Sequence, residues 1–439
     1  ANVITAERIK EELSKNKTLE GAVNSGFKMG LTPIIDGNVT IVIVAAILMG
    51  AFGPTDGFWA KVFNPIFYWF GPSTAGTIYS FGFTLLTSVL LNFVFGVWAT
   101  RVMIRGAVHF KPLRKAWLFG GKKEGGADFK TPSINFIGNR KKFYTFSCAL
   151  IAVVLVFCGI FGVKMDVEFK GGSMITLAYE GDADLNDLKS TIGTELGKSN
   201  LTLQTGSDIS GNQTLTVTLP GSDTLTTEQL DNLLTALNEQ YPDNKFVQNE
   251  VSNVDATIGK EFLVKSVVAL VAACVLILLY VAYRFRKIGG LKAGSTAIVA
   301  LLHDMFVVFG VFVLLRIPLN GNFIAALLTI LGYSINDTVV IYDRIRENSA
   351  LYGKKQMSLA ELVNLSVNQS FARSLMTSIT TCLALGVVCV VSVIYRLDSI
   401  YSFAFPLLFG MVSGVYSTIC IATPLWVDWK NKKKAAKKA

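Results

Sequence analysis

The sequence contains few charged residues, few histidines and no paired cysteine motif. Only 16% of its 439 residues are charged, whereas an ordinary soluble domain has about 25%. Two histidines are present, His109 and His303, which argues against a histidine-based metal site. All six cysteines lie in apolar runs without CxxC spacing, so we interpret them as free thiols. The GxxxxGK[ST] loop of nucleotide-binding proteins is also lacking. We therefore expect no metal, no other cofactor and no enzymatic activity.

Long apolar runs are what the sequence has in abundance. A helix needs about 20 mostly apolar residues to cross a bilayer, and eight runs approach or exceed this length. They cover residues 36–54, 77–104, 143–163, 262–284, 292–315, 322–342, 371–395 and 400–427. The expected fold is therefore an α-helical polytopic membrane protein with about eight transmembrane helices.

The basic residues are concentrated on one side of the expected bundle. Residues 101–142 have eleven Lys or Arg and two acidic residues, and further basic clusters occur at 284–292 and in the tail KNKKKAAKKA. If successive spans cross the membrane in alternating directions, these segments all lie on the same side of it. Lys and Arg favour the cytoplasmic side of a membrane. We therefore expect the N-terminal segment and the C-terminus in the cytoplasm. The net charge of +10 is then a topology signal and not a nucleic-acid-binding surface.

Residues 164–260 differ in composition from the rest of the chain. They have six Lys, no Arg and fifteen Asp or Glu. Alternating apolar residues in SMITLAYE and TLTVTLP predict strands, and apolar residues at helical spacing predict two helices. The order strand, helix, two strands, helix, strand is that of a ferredoxin-like domain. We expect one small α+β domain on the extracytoplasmic side.

The loop GFWAKVFNPIFYWFGP at 57–72 is crowded with aromatic residues. Such rings are enriched at the boundary between membrane and water. We favour this interpretation over contact with a partner protein.

A short repeat relates the start of the chain to its second half. NVITAERIKEEL resembles DTVVIYDRIREN, and an offset of 336 residues aligns Glu7-Arg8-Ile9 with Asp343-Arg344-Ile345. Repeated halves are common in transporters. We therefore expect the span that would precede the first copy to lie before Ala1.

The strongest functional candidate is Asp337, which lies inside an apolar run. It is six residues from Asp343, which places it roughly 9 Å from the end of the span in a helix. A charge within a span costs about 3 kcal/mol. Arg373, just inside the next span, is the candidate partner. The pair fits a proton relay or a permanent ion pair between two helices, and both interpretations remain open at this point.

Other polar residues in the spans support these two interpretations. His303 and Asp304 lie about halfway across a span and predict either a functional site or hydrogen bonds between helices. Asp36 lies at the predicted start of the first span, where it could cap a helix. Thr377 and Thr381 could hold water molecules or could simply pack closely. Gly410 and Gly414 form a GxxxG packing motif.

Several motifs resemble the SecF half of the bacterial SecDF protein-export family. They are LGYSINDTVVIYDRIREN, ALLHD, ARSLMTSITT and SGVYSTICIATPL, and EFKGGS at 168–173 is similar to the family's segment after the first SecF span. ANVITAERIKEEL, TPIIDGNVT and SFGFTLLTSVLLNFVFGVWATR resemble the end of the SecD half. The resemblance covers nearly the whole chain and is that of the fused SecDF form.

The resemblance implies a division of the chain. The parts are the end of the SecD-like half with two spans (1–105), a basic cytoplasmic linker (106–142), the first SecF-like span (143–163), the extracytoplasmic domain (164–260), five further SecF-like spans (261–428) and a basic cytoplasmic tail (429–439). The family carries an Asp directly before the segment that ANVI resembles. We therefore expect that carboxylate, and the N-terminal half of SecD, outside this sequence. The loop 55–76 is longer than the family's usual turn.

The resemblance also implies a function. Members of this RND-type family use the proton-motive force to promote late steps of preprotein translocation in the bacterial inner membrane. Asp337, Arg373, Asn336 and Asp36 would then belong to a proton relay, with sodium as the alternative coupling ion. The implied partners are the SecYEG channel, secreted preproteins, the N-terminal half of SecD and membrane lipids. The alternatives are a proton-coupled exporter of small molecules or lipids and a non-transporting scaffold of the translocon.

Overall fold

A computed structural model describes residues 2–70, 76–121, 134–181, 183–198, 201–207, 213–220, 225–395 and 397–436. Parts of the predicted linker (122–133), of the aromatic loop (71–75) and of the tail (437–439) lie outside the described residues. The helices are α1 Asn2–Ser14, α2 Leu19–Phe52, α3 Phe58–Phe67, α4 Gly76–Leu91, α5 Thr100–His109, α6 Arg140–Phe161, α7 Val167–Lys170, α8 Leu185–Glu195, α9 Thr227–Gln240, α10 Ala256–Arg284, α11 Gly290–Leu314, α12 Gly321–Gln356, α13 Leu359–Ile394, α14 Asp398–Ser417 and α15 Thr423–Ala436.

Short helical segments of other geometry connect some of these helices. A π-helical segment, Asn92–Ala99, joins α4 to α5, and a second, Thr418–Ala422, joins α14 to α15. Single 3-10 turns occur at Lys111–Leu113, Ala116–Phe119 and Arg286–Ile288. Within the described part of the chain, eight helical stretches are long and apolar enough to cross a membrane, which confirms the predicted number.

The helices extend beyond the apolar runs that predicted them. Helix α2 begins at Leu19, after an N-cap in which the Thr18 hydroxyl accepts a hydrogen bond from the N–H of Gly21. Helix α13 begins with a capping box formed by Ser358 and Glu361. Capping and backbone hydrogen bonds continue a helix through polar residues, which hydropathy alone does not detect. Residues at the predicted start of a span therefore lie well inside a helix.

Two helices form the centre of the bundle. The most apolar stretch of α12 is 83% buried within the protein, whereas that of α6 is only 11% buried. Helix α2 is also largely buried and packs directly against α12. Helix α14 approaches α12 closely through Gly410 and Gly414, where an added Cβ would meet Ile330 at 2.0 Å and Ser334 at 3.1 Å. The predicted GxxxG packing motif is thus confirmed.

Residues 172–254 contain the predicted small domain. Its strands are β1 Gly172–Tyr179, β2 Thr202–Ser207, β3 Gln213–Pro220 and β4 Val247–Val254, in the order β2-β3-β1-β4 with antiparallel pairing. Helices α8 and α9 contribute Leu188 and Leu233 to the same core as Leu177 and Leu215. The predicted Thr226–Gln229 capping box begins α9. Element order and sheet order confirm the ferredoxin-like prediction.

The small domain is attached to the loop that leads into α12. The backbone N–H of Asp166 donates to the carbonyl of Leu319, and the N–H of Leu319 donates to the carbonyl of Lys164, both at 3.0 Å. The Glu168 carboxylate accepts a hydrogen bond from the N–H of Gly321, the first residue of α12, at 2.6 Å. This segment therefore connects the base of the domain to the most buried helix of the bundle.

Candidate functional site

Asp337 lies in the interior of α12 and is partly buried. The first turn of α12 is capped by Asn320. Near Asp337 the helix is stabilised by the fully buried side chains of Leu331, Ile335 and Val339. The Asp337 side chain is within hydrogen-bonding range of Ser378 and within electrostatic range of Arg373, both on α13, and it is also within electrostatic range of Asp304 on α11. The bundle thus holds a carboxylate away from both ends of its helix.

Arg373 is buried near Asp337, but the two side chains do not form a direct ion pair. Within the described parts of the chain, no Asp337–Arg373 contact is 4.0 Å or shorter, and the buried Nε of Arg373 has no hydrogen-bond partner. Arg373 was the candidate partner of Asp337, and in this structure the two side chains are in an open arrangement. Arg373 also lies within electrostatic range of Asp343 and of two like charges, Arg8 and Arg344. Arg373 therefore has charged neighbours of both signs besides Asp337.

Asn336 lies where α2 and α12 come closest. A Cβ added at Gly37 would be 1.9 Å from the Asn336 Oδ1 atom, so the side chain occupies the space that this glycine leaves. Beside it is a cavity of about 260 Å³ lined by Asn336, Asn38 and Asn92 together with apolar residues. A polar cavity of this size has room for several water molecules. Asn38 and Asn92 were not among the predicted site residues, although each is an amide within an apolar run.

Asp36 is held in a closed ion pair. Arg284, the last residue of α10, contacts both carboxylate oxygens at 2.7–2.8 Å, and the Tyr280 hydroxyl donates to Oδ1 at 3.0 Å. The interpretation of Asp36 as a helix N-cap is wrong, because α2 begins at Leu19 and Asp36 lies in its interior. Arg284 was predicted at the boundary between a span and a basic connection, and its role as the partner of Asp36 was not predicted.

Asp304 is fully buried among serine hydroxyls. Ser334 of α12 and Ser417 of α14 donate to Oδ2 at 2.6 and 2.7 Å, and Ser413 of α14 donates to Oδ1 at 2.6 Å. The ring of His303 lies 3.3 Å from Oδ1 through Nδ1. The carboxylate therefore joins three helices by hydrogen bonds, which was one of the two predicted roles. Serines in apolar runs carry no distinctive signal, so these partners were not found from sequence.

Thr377 and Thr381 have their hydroxyls bonded to their own helix. Thr377 donates to the carbonyls of Arg373 and Ser374, and Thr381 donates to the carbonyl of Thr377. This is a common arrangement for Thr within helices. The oxygen of each hydroxyl still has a free acceptor position.

A reciprocal ion-pair network joins the two copies of the sequence repeat. Arg8 contacts Glu347 at 3.0 Å, and Arg344 contacts Glu11 at 3.1 Å. With the offset of 336 residues, Arg8 corresponds to Arg344 and Glu11 corresponds to Glu347. In each ion pair, the arginine of one copy therefore contacts the glutamate of the other copy. Burial alone would lower the pKa of Arg8, but Glu347 and Glu11 outweigh burial and raise it above its usual value. The repeat seen in the sequence is therefore a contact between the two halves.

Comparison with known proteins places these features in a family. The model of the family "Protein export membrane protein SecD/SecF, C-terminal" matches residues 234–432. The SecF protein translocase subunit of Alicyclobacillus acidocaldarius is 35% identical over 312 residues, which are 70% of this chain and 96% of that protein. The chain belongs to the SecD/SecF family of protein-export membrane proteins. With eight apolar helices among its described residues, it is a multi-pass inner-membrane protein.

The chain is also similar to fused SecDF proteins over nearly its whole length. The SecDF subunit of Bacillus subtilis is 29% identical over 447 residues, which are 99% of this chain but 55% of that protein. The crystal structure of Thermus thermophilus SecDF, described as a translocon-associated membrane protein, superposes with a TM-score of 0.74 at 29% identity and covers 98% of this chain and 52% of that chain. The chain thus spans about half the length of these SecDF relatives.

Proposed function

We propose that this chain is part of an accessory subunit of the Sec protein-export machinery and that it couples inward proton flow to late steps of preprotein translocation. The observation that carries the proposal is the open arrangement of Asp337 and the buried Arg373, which share no ion pair within 4.0 Å in the described part of the chain. A permanent structural pair would close to offset the cost of burial. An open carboxylate retains the ability to gain and lose a proton.

Protonation of Asp337 changes the balance of charges around Arg373. The neutral acid no longer attracts the guanidinium, so Asp343, whose effect on Arg373 is already the larger of the two, remains as its acidic neighbour. Helices α12 and α13 then favour a different relative position, because the proton has a different affinity for the two arrangements. The polar cavity beside Asn336 supplies water close to this region of α12. Asp36, closed on Arg284, holds α2 and α10 together while α12 moves.

Movement of α12 reaches the small domain through Glu168. Its carboxylate binds the N–H of Gly321, and Leu319 is bridged to Lys164 and Asp166. A shift of α12 along its axis would therefore pull on the base of the domain. In this proposal the small domain faces outward, both ends of the chain are cytoplasmic, and the domain acts on preproteins that leave the SecYEG channel. The remaining part of SecD completes the relay, with H⁺ as the coupling ion and Na⁺ as the alternative.

The proposal is tested by Asp337→Asn in cells whose export of a secreted reporter depends on this protein. We expect proton-dependent stimulation of export to be lost while the amount of protein in the membrane stays unchanged. Thr381→Val is the matched control on the neighbouring helix, because its hydroxyl bonds only to its own helix, and it should keep most of the activity.

A second variant separates a relay from a scaffold. Asp337→Leu combined with Arg373→Met removes both charges and restores apolar packing. A relay predicts that this double variant is as inactive as Asp337→Asn. Full export activity in the double variant would instead support a purely structural pair and overturn the proposal.

A further inference from the structure

Helix α3 carries more exposed apolar surface than its position in a loop explains. Phe58 is 70% exposed, Val62 is 50% exposed and Trp69, just beyond the end of the helix, is 86% exposed. Isolated apolar residues at a surface need no explanation, but a contiguous group of large ones marks a contact. The exposed apolar surface of α3 is therefore expected to contact either lipid or a partner protein.

The residues of α3 divide into three faces when placed at 100° per residue. One face contains Trp59, Phe63 and Phe67, which are partly or fully buried. A second face contains Lys61, Asn64 and Tyr68, which are exposed. The third face, which we call the apolar face, contains Phe58, Val62 and Ile66, and Trp69 follows at the same angle. The middle of the apolar face is roughly 105° from the middle of the packed face and roughly 120° from the middle of the polar face.

The packed face fixes the depth of α3. A Cβ added at Gly50 would meet the Phe63 ring at 2.7 Å and the Trp59 carbonyl at 3.0 Å, so α3 lies directly against α2 at this glycine. Gly50 is two residues before the last residue of α2, Phe52, which is about 3 Å along the helix axis. The middle of α3 therefore packs against the last turn of a membrane-spanning helix.

The end of α2 lies on the side of the small domain. The Phe52 ring contacts Phe262 near the start of α10, with centroids 5.4 Å apart, and Phe262 stacks on Phe169 at the base of the domain. A helix at this depth has the bundle on one side, water above and lipid beside and below it. The three faces of α3 match these three surroundings.

We propose that α3 is an interfacial helix that embeds its apolar face in the hydrocarbon boundary of the leaflet on the side of the small domain. Interfacial helices place Trp, Phe and aliphatic residues in this layer and keep charged residues in the water. The Trp69 ring suits the boundary because it is apolar with one N–H donor. Lys61, on the polar face, can reach the headgroup region with its ammonium group. We assign lipid and not a second protein to the apolar face, because α3 packs against the last turn of a membrane-spanning helix and its exposed side chains on this face are aromatic or aliphatic.

The test uses single cysteines that carry a nitroxide spin label, in the full chain with its six native cysteines replaced by alanine. The protein is placed in vesicles of phosphatidylethanolamine and phosphatidylglycerol. Val62→Cys and Ile66→Cys probe the apolar face, and Lys61→Cys and Asn64→Cys on the same helix are the matched controls. Collision with O₂, which concentrates in the bilayer, is compared with collision with a water-soluble nickel chelate.

The expected result is a periodic alternation along the helix. Labels at 62 and 66 should collide mainly with O₂, and labels at 61 and 64 mainly with the nickel chelate. Preferential collision with nickel at 62 and 66 would place the face in water and overturn the proposal. Protection from both reagents at 62 and 66 would show that a protein covers the face, which would also overturn it. The test is independent of proton coupling, so its outcome does not depend on the proposed function.

Discussion

Breaking the Asp36–Arg284 pair should destabilise the bundle strongly, and replacing Arg284 should cost more than replacing Asp36. Arg284 is 20% exposed and Asp36 is 7% exposed, and three contacts of 2.7–2.8 Å join them. Removing one partner of a buried pair typically costs about 3–5 kcal/mol, because it leaves an uncompensated charge. Arg284→Met leaves Asp36 with only the Tyr280 hydroxyl as a side-chain donor, so we expect a loss near the upper end of that range.

Asp36→Asn should cost less, because Arg284 is also within electrostatic range of Asp343. We expect a loss nearer the lower end, about 3 kcal/mol. The double variant Asp36→Leu with Arg284→Met removes both charges and should recover most of the stability, since replacing a buried pair by apolar residues is often neutral. Asp36→Leu, measured alone beside Arg284→Met and the double variant, completes a double-mutant cycle, and we expect a large coupling energy.

The assay is unfolding of the purified protein in mixed micelles by a denaturing detergent, followed by tryptophan fluorescence. The matched control is Arg286→Met, two residues away, whose side chain is exposed and lies over the Tyr283 ring at 5.6 Å. Its loss should be about 0.5–1 kcal/mol. The prediction would be contradicted if Arg286→Met lost as much unfolding free energy as Arg284→Met. It would also be contradicted if the losses of the two single variants simply added in the double variant.

Two further predictions concern the ends of α12. Burial raises the pKa of Glu168, and Asp166 raises it further, against the lowering effect of the Gly321 N–H. The protonated form is thus favoured on folding, and the contribution of Glu168 to stability is lost as the pH rises through its folded pKa. The free energy of unfolding of Glu168→Gln should therefore be higher than that of the wild type at neutral pH and equal to it in acid. Glu168→Leu should lose about 1–2 kcal/mol of unfolding free energy. The prediction would be contradicted if the unfolding free energies of Glu168→Gln and the wild type varied with pH in parallel. Towards the other end of α12, Glu347→Arg alone should lower the midpoint temperature of thermal unfolding. The double variant Glu347→Arg with Arg8→Glu should recover part of that loss. The absence of any recovery would show that Arg8 and Glu347 are not coupled.

Hydropathy and local pattern predicted the parts of this fold that depend on neighbouring residues. Eight apolar runs predicted eight spans, and the Thr226–Gln229 box and alternating strands predicted the small domain. The environments of buried charges could not be predicted in this way. Arg284 is 248 residues from Asp36 in sequence, and its position next to the basic turn RKIGG indicated a loop. Only the packing of α2 against α10 brings the two side chains together.

The repeat is the exception, because it predicted a relation between distant residues. Glu7-Arg8-Ile9 and Asp343-Arg344-Ile345 align in sequence, and the structure joins the two copies through Arg8–Glu347 and Arg344–Glu11. Ile4 and Val340, which are also 336 residues apart, share one buried cluster. Contacts between equivalent positions are expected where two related halves meet across a pseudo-twofold axis. The open arrangement of Asp337 and Arg373 had no such signal, because Arg373 lies outside the repeated segment.

The energies of these contacts indicate which parts of the bundle can move in the proposed cycle. One elementary charge moved through 100 mV provides about 2.3 kcal/mol. The Glu168–Gly321 hydrogen bond to a charged group is worth about 1.5–3 kcal/mol, so one proton is sufficient to weaken it or to exchange it for another contact. Breaking the Asp36–Arg284 pair costs about 3–5 kcal/mol, which exceeds what one proton provides at that potential. Helices α2 and α10 should therefore remain fixed to each other while α12 shifts between them and the small domain. Spin labels on α2 and α10 should then keep a constant separation in Asp337→Asn and wild-type protein, while the separation between α12 and α2 changes.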